Sequence, residues 1–344
     1  MGAVVNWVLE TQNTLATTSV HPKYLPFAWL DVLGAIRLSV FIDQFCRQRN
    51  GVKPNEQGSG KRGTWLQECC GMLTLMFGGE TLLCSCLGLT PSWMQSPSIV
   101  FLFCSIHYIV TRTPLHRLLP RKPSIWLEFP LSLFDALGRA MILTTFSVDF
   151  IRNNLALPPN IRSNPWLMVL AAFINTVPFA SLAFACHMFD KEWKFGTPGE
   201  VQPGGWMTVD AWAPPVIAGV YATLVRAHPV FDVPYQAIRL ALLRRPVFVR
   251  LVGFQTFKTV FPSTPTALDP LEARAICAIV LAVLFALRAV YNFGGDLITL
   301  PKIRHRTMTD ILRVITNEKA DTSSSPKNKK KKKAKHGSDV SQEL

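Results

Sequence analysis

Six ionisable side chains stand inside stretches that are otherwise apolar: Asp31, Arg37, Glu80, Asp135, Arg139 and Arg288. An ionised group costs roughly 2.5 to 3.5 kcal/mol at the centre of a bilayer, so such residues face a partner, a cavity or a pathway. The densest set lies in one segment, where Glu128, Ser132, Asp135 and Arg139 follow at offsets of 0, 4, 7 and 11. At about 100° per residue the four share one helical face within about 60°. Asp135 and Arg139, at i and i+4, are also spaced to pair with each other. If that face lines water, it is part of a polar path through a membrane, along which Asp31 and Glu80, the latter beside Gly78 and Gly79, would favour cations. The other reading is a set of helix-to-helix ion pairs, for example Asp31 or Glu80 with Arg288, which neutralise one another and carry nothing. A helix starting at Pro130 would leave Glu128 at the interface rather than on the path.

Catalytic chemistry finds less to work with. There is no His-x-x-x-His or His-Glu-x-x-His pair for a metal, no phosphate-cradling Gly-x-x-x-x-Gly-Lys loop and no Gly-x-Ser-x-Gly elbow. His107 and His187 fall near the ends of apolar stretches, and His187 with Asp190 reads as an interfacial hydrogen bond. The expectation is a protein without catalytic residues, metal or cofactor, with an intramembrane lipid-modifying enzyme as the remaining enzymatic reading.

The elements that must hold these charges are set by composition. The 344 residues are 49% apolar and only 17% charged, against about 25% charged in soluble domains. Seven stretches approach the roughly 20 apolar residues that a spanning helix needs: 25–42, 66–89, 97–110, 125–146, 165–189, 211–225 and 273–293. The expected fold is therefore an all-α membrane protein of seven transmembrane helices. Seven of the eight cysteines lie in these stretches and read as small buried hydrophobes, not a disulfide framework. The first 20 residues lack a basic region ahead of an apolar core, so no cleavable signal is expected there. The formal net charge of +14 owes much to a tail in which residues 327–344 hold seven lysines, including Lys329, Lys330, Lys331, Lys332 and Lys333. No nucleic-acid-binding signature accompanies it, so nucleic acid is not expected as a partner.

Basic residues stay on the cytosolic side of a membrane. Arg47, Arg49, Lys53, Lys61 and Arg62 after the first stretch, and Arg112, Arg117, Arg121 and Lys122 after the third, share a side with the lysine tail if the spans number seven. The chain then divides into a non-cytosolic arm (1–24), a first three-helix repeat (25–110), a cytosolic connection (111–124), a second three-helix repeat (125–225), a long amphipathic connection (226–271), a seventh helix (272–293) and a cytosolic polybasic tail (294–344) of disordered composition. One connection disagrees, since 226–271 lies on the far side yet carries Arg239, Arg244, Arg245, Arg250 and Lys258. Its amphipathic part, 235–260, would lie in the interface or dip into the membrane.

The middle member of each trio is expected to be interrupted, at Phe77-Gly78-Gly79-Glu80 in one and at Asn175-Thr176-Val177-Pro178 in the other. Two three-helix repeats in tandem must have opposite topology, and paired broken helices in inverted halves point to a permeation or binding site. Gly and Pro are also simply frequent in membrane helices, which leaves the alternative open.

Several local patterns resemble the trimeric intracellular cation channel (TRIC) family. Pro26-Phe27-Ala28-Trp29-Leu30-Asp31 is similar to the family's aromatic entry to the first span. Met72-Leu73 with Phe77-Gly78-Gly79 is similar to its second span, and Leu87-Gly88-Leu89-Thr90-Pro91 to the exit from it. Tyr108 with Pro114-Leu115 matches the end of the third span, and Arg288 a basic residue in the seventh. The resemblance runs loosely over 25–293. It implies two inverted three-helix repeats plus a seventh helix, one pore per subunit of a homotrimer, and monovalent cation (potassium) conduction across the endoplasmic reticulum or nuclear-envelope membrane as counter-ion current for calcium movement. Asp135-Ala136-Leu137-Gly138-Arg139 stands where the family carries a Lys-Glu-Val signature followed by Arg that binds a phosphoinositide head group, so only Arg139 carries over; the chain would be a divergent member.

The pathway residues expected on these grounds are Asp31, Gly78, Gly79, Glu80, Ser132, Asp135, Pro178 and Arg288. Anionic lipid head groups are expected at Arg139 and at Lys329 to Lys333. The alternative to a channel is a non-conducting multi-pass scaffold or lipid-binding protein, in which the charges pair internally.

Overall fold

An apolar chain in lipid has to satisfy its backbone within each segment, which leaves the α-helix as the element for a run of about 20 residues. The computed structural model describes residues 3–49, 63–117, 119–120, 124–197, 209–243 and 267–293, and within these it is almost entirely helical. Helix α1 (Ala3–Thr17) leads through a two-stranded antiparallel hairpin, β1 (Ser19–His21) and β2 (Leu25–Ala28), into α2 (Trp29–Arg49). Then come α3 (Trp65–Leu87), the short α4 (Ser92–Gln95) and α5 (Ser98–Arg112). A 29-residue helical run, 125–153, consists of α6 (Ile125–Leu143), one π-helical turn (Thr144–Asp149) and α7 (Phe150–Asn153). After the single turn α8 (Pro159–Arg162) come α9 (Pro165–Thr176), α10 (Pro178–Ala185), α11 (Val209–Leu224), α12 (Asp232–Leu243) and α13 (Pro270–Phe293).

The ends of these helices follow from local chemistry. Thr64 caps α3 by accepting the Gln67 N–H, while the Gln67 side chain accepts the Thr64 N–H at 2.8 Å; this reciprocal pair satisfies two otherwise orphaned donors. Gly88 closes α3 in the left-handed conformation, φ 68°, where a side chain would be strained. Asn164 caps α9 through the N–H groups of Trp166 and Leu167, and Pro165 takes the first helical position, where no N–H is needed.

Four helical segments among the described residues are long and apolar enough to cross a membrane: 65–87, 125–153, 165–185 and 270–293. A fifth is formed if α11 and the segment 229–238 count as one broken span, bent by 96°. The chain is a multi-pass membrane protein. The two remaining stretches are helical as well, but α5 has only 15 residues and α2 spreads Asp31, Arg37, Asp43, Arg47 and Arg49 over its length. Large apolar side chains point outward, among them Phe101, Trp126, Trp166 and Val283, as a surface that meets lipid requires.

Two cores organise the bundle. The larger gathers α6, α9, α11 and α13 around Tyr221, Leu143, Ile217 and Phe285, with α1 packed on it through Val8. The smaller gathers α2, α3, α5 and α10 around Ile42, Met72, Phe103 and Phe189. The two meet where α3 crosses α9 and α10, and here the sequence expectation needs correction. Gly78 and Gly79 do not interrupt the second span, because α3 runs unbroken through both. They form a notch instead. A Cβ on Gly79 would fall on the Asn175 carbonyl, and one on Gly78 would fall on the Phe179 ring. The fifth span is divided at Val177–Pro178 as expected, yet the largest bend among the described spans lies after α11. The N-terminal arm is also more structured than a connecting arm, since 3–17 is helix and docks on α13 and α2.

Candidate functional site

The polar face predicted on the fourth span turns inward. Glu128 and Ser132 are buried, and Asp135 and Arg139 are half-buried. Each finds a partner. Glu128 meets Arg37 of α2 at 3.0 Å, and the Ser132 hydroxyl donates to the Phe129 carbonyl of its own helix at 2.7 Å. Arg139 donates through Nε to Asp135, at 3.3 Å, and through Nη1 to Asp210 at 2.9 Å.

Asp210 is the residue that sequence reasoning missed, and it ties the site together. It stands in the first turn of α11 and accepts from Arg139 of α6 on Oδ1 and from Arg288 of α13 on Oδ2, the latter at 2.6 Å. One carboxylate therefore holds two guanidiniums and three helices. Both guanidiniums also lie against the Phe285 ring, with their Cζ atoms 5.3 and 4.7 Å from its centroid, a distance at which the ring quadrupole attracts a cation. Expected partners for Arg288 were Asp31 or Glu80. Asp31 instead stands exposed in the first turn of α2, and the Glu80 carboxylate accepts the Ser92 N–H at 2.6 Å, fastening α4 to α3.

A small cavity opens beside this network, lined by Arg139 and Asp210, by Thr176 at the α9–α10 break, by Pro214 of α11 and by Leu281 and Phe285 of α13. Its volume is about 10 Å³, room for about one water. The charged network, the end of α9 before Pro178 and Pro214 of α11 thus meet at one small cavity.

A second cluster lies further along α6, where the π-turn brings Asp149 to α11 and α13. The Tyr221 hydroxyl donates to Asp149 at 2.7 Å, and Arg274 approaches the same carboxylate at 3.7 Å while donating through Nε to Thr144. The wide turn leaves the Phe146 carbonyl to accept from Asn175 Nδ2 at 2.9 Å. Asn175 is the residue whose backbone abuts Gly79, so the notch in α3, the break after α9 and the π-turn of α6 are in direct sequence of contact.

No family model, curated protein or solved structure matches this chain.

Of the sequence-predicted pathway residues, Asp135 and Arg288 meet in the network, Ser132 lies one turn away on the same face, and Gly78, Gly79 and Pro178 meet at the α3 crossing. Asp31 and Glu80 are not part of either group. Arg139, expected at a lipid head group, is occupied by Asp135 and Asp210. Lys329 to Lys333, with the rest of 294–344, and residues 244–266, half of the connection 226–271, lie outside the described residues. A third polar cluster was not anticipated: Glu68 of α3, fully buried, has its Oε2 3.2 Å from both His107 Nε2 and Arg112 Nη2 of α5. Among the described residues no group of three or more His, Cys, Asp or Glu side chains is placed to hold a metal ion, and all eight cysteines are free.

Proposed function

We propose that the chain is a divergent relative of the trimeric intracellular cation channels and conducts monovalent cations, potassium foremost, across an intracellular membrane. The observation that carries this reading is the convergence on one water-sized constriction of a partly buried charged network, a span divided at Pro178 and a proline-bearing span. Ionisable groups kept inside a membrane bundle mark ion pathways more often than not, and a broken helix releases backbone dipoles at that depth. On this reading the constriction is the closed state of the path. Conduction requires the Arg139–Asp210–Arg288 bridge to part, freeing Asp135 and Asp210 to face a cation.

The seven-span layout completes the proposal. It adds α2, α5 and the bent α11–α12 pair to the four long helices and pairs the trios α2–α3–α5 and α6–α9/α10–α11 as inverted repeats, with α13 as the seventh span. Basic connections and the lysine tail set the C-terminus in the cytosol, at an endoplasmic-reticulum or nuclear-envelope membrane. The pore belongs to each subunit of a homotrimer.

A second reading has its own support. Glu128, Asp135, Arg139, Asp210 and Arg288 all find partners within the bundle, as they would in a non-conducting scaffold. Single-channel recording from purified protein in a planar bilayer, with asymmetric potassium chloride and anionic lipid, separates the two. The channel reading expects a reversal potential near the potassium equilibrium value and altered conductance in Asp135→Asn. Silence of well-folded protein across the voltage range supports the scaffold.

A further inference from the structure

We propose that the cavity enclosed by α1, α6 and α13 is a binding site for an anionic phospholipid, with Arg274 receiving the phosphate. The cavity measures about 290 Å³, just below the range of small-ligand pockets, about 300 to 1,000 Å³. Its polar wall is made by Gln12 and Asn13 of α1 and by Arg274 of α13, and its apolar wall by Met141 of α6 and Leu271 of α13. Arg274 is the one charged residue on that wall. Gln12 is anchored by donating to the Leu137 carbonyl at 3.0 Å, which holds α1 against α6 and leaves its amide oxygen as an acceptor. Arg274 is oriented by Thr144 and lies 3.7 Å from Asp149, longer than a charge-assisted hydrogen bond of about 2.7 to 2.9 Å. Asp149 takes its short bond from Tyr221 instead.

The chemistry of the wall selects an anion, because the lining offers the Arg274 guanidinium and the Asn13 amide and no carboxylate, Asp149 standing outside it. The surroundings select a lipid rather than a soluble ion. Arg274 lies four residues into a spanning helix, about 6 Å from its start at 1.5 Å per residue, the depth of a head group. Leu271 beside it is 46% exposed, and Trp7 on the outer side of α1 is 65% exposed, in the amphipathic role tryptophan takes at a membrane interface. The phosphate sits against Arg274 and the acyl chains leave over Leu271. The proposal rests on the chain spanning a membrane and not on its conducting, so its test reads binding alone.

The test uses full-length protein in detergent with phosphatidic acid carrying a photoreactive group near the start of one acyl chain, followed by peptide mapping of the labelled sites. Labelling is expected on α1 and around Met141, suppressed by excess phosphatidic acid and not by phosphatidylcholine. Arg274→Gln should lower labelling there at least tenfold, and Arg274→Lys should keep it within about threefold. Ala16 of α1 also lines the cavity; Ala16→Trp, which fills it while leaving Arg274 and its partners in place, should abolish labelling, and each variant is checked for a monodisperse elution profile. Unchanged labelling in Ala16→Trp or in folded Arg274→Gln overturns the site. Equal suppression by phosphatidylcholine overturns the anionic choice, and suppression by inorganic phosphate alone overturns the lipid in favour of a soluble anion.

Discussion

Replacing Asp210 with asparagine removes the charge between two guanidiniums while leaving one side-chain oxygen to accept from one of them. In water-soluble proteins a hydrogen bond to a charged group contributes about 1.5 to 3 kcal/mol. Within membranes polar contacts average about 0.6 and reach about 1.7 kcal/mol, because the unfolded chain in lipid also finds partners. Asp210 is 28% exposed at the side chain and makes two such contacts, so the full pair contributes about 1 to 3 kcal/mol, and Asp210→Asn should cost about 0.5 to 2 kcal/mol. The Arg288 contact is the shorter, at 2.6 Å, and Arg139 keeps Asp135 when Asp210 is lost. A double-mutant cycle should therefore give a coupling of about 1 kcal/mol for Asp210 with Arg288 and less for Asp210 with Arg139. Reversible unfolding in mixed micelles, followed by tryptophan fluorescence, measures both. If Asp210→Asn unfolds within about 0.3 kcal/mol of the parent, or the two cycles give equal couplings, the bridge does not organise the three helices as argued.

Two glycines with opposite surroundings make a matched pair of tests. Gly79→Ala drives a methyl into the Asn175 carbonyl and should destabilise by about 1 to 3 kcal/mol through overpacking; Gly138→Ala, with open space around it on α6, should stabilise by about 0.5 to 1 kcal/mol, both read from the same unfolding assay. Glu68→Gln leaves the buried His107 and the partly exposed Arg112 facing a neutral amide and should cost about 1 to 3 kcal/mol. Glu192→Gln, in an exposed pair with Lys194, serves as the control and should leave the melting temperature unchanged.

The helices were legible because lipid forces each span to be continuous and apolar, and 66–89, 165–189 and 273–293 coincide with α3, α9–α10 and α13 within a few residues. The glycine pair was misread for the same physical reason. Gly costs about 1 kcal/mol relative to Ala inside a helix, which suggests a break, but in lipid a broken backbone costs more, so α3 stays helical and uses Gly78 and Gly79 for close approach. Asp210 escaped notice by falling one residue outside the apolar stretch 211–225. Two arginines deep in neighbouring spans, with one acidic residue between them on Arg139's own helix, were the signal that another carboxylate had to arrive from elsewhere. The face of α6 was correctly read from its spacing, since periodicity reports which residues travel together. It does not report what they meet, and so neither Arg37 opposite Glu128 nor the crossing at Asn175 was visible in it.

The π-turn at Thr144–Asp149 gives α6 a change of phase. On an uninterrupted α-helix Asp149 would lie about 40° around from Asp135, facing much the same neighbours. One residue of surplus in a wide turn rotates everything downstream by about 100°, and Asp149 accordingly looks to Tyr221 and Arg274 instead of joining the Arg139 network. A single helix thus addresses two separate charged clusters with two separate faces. Asn175 reaches across the turn between its two halves, donating to the Phe146 carbonyl and to the Ser147 hydroxyl.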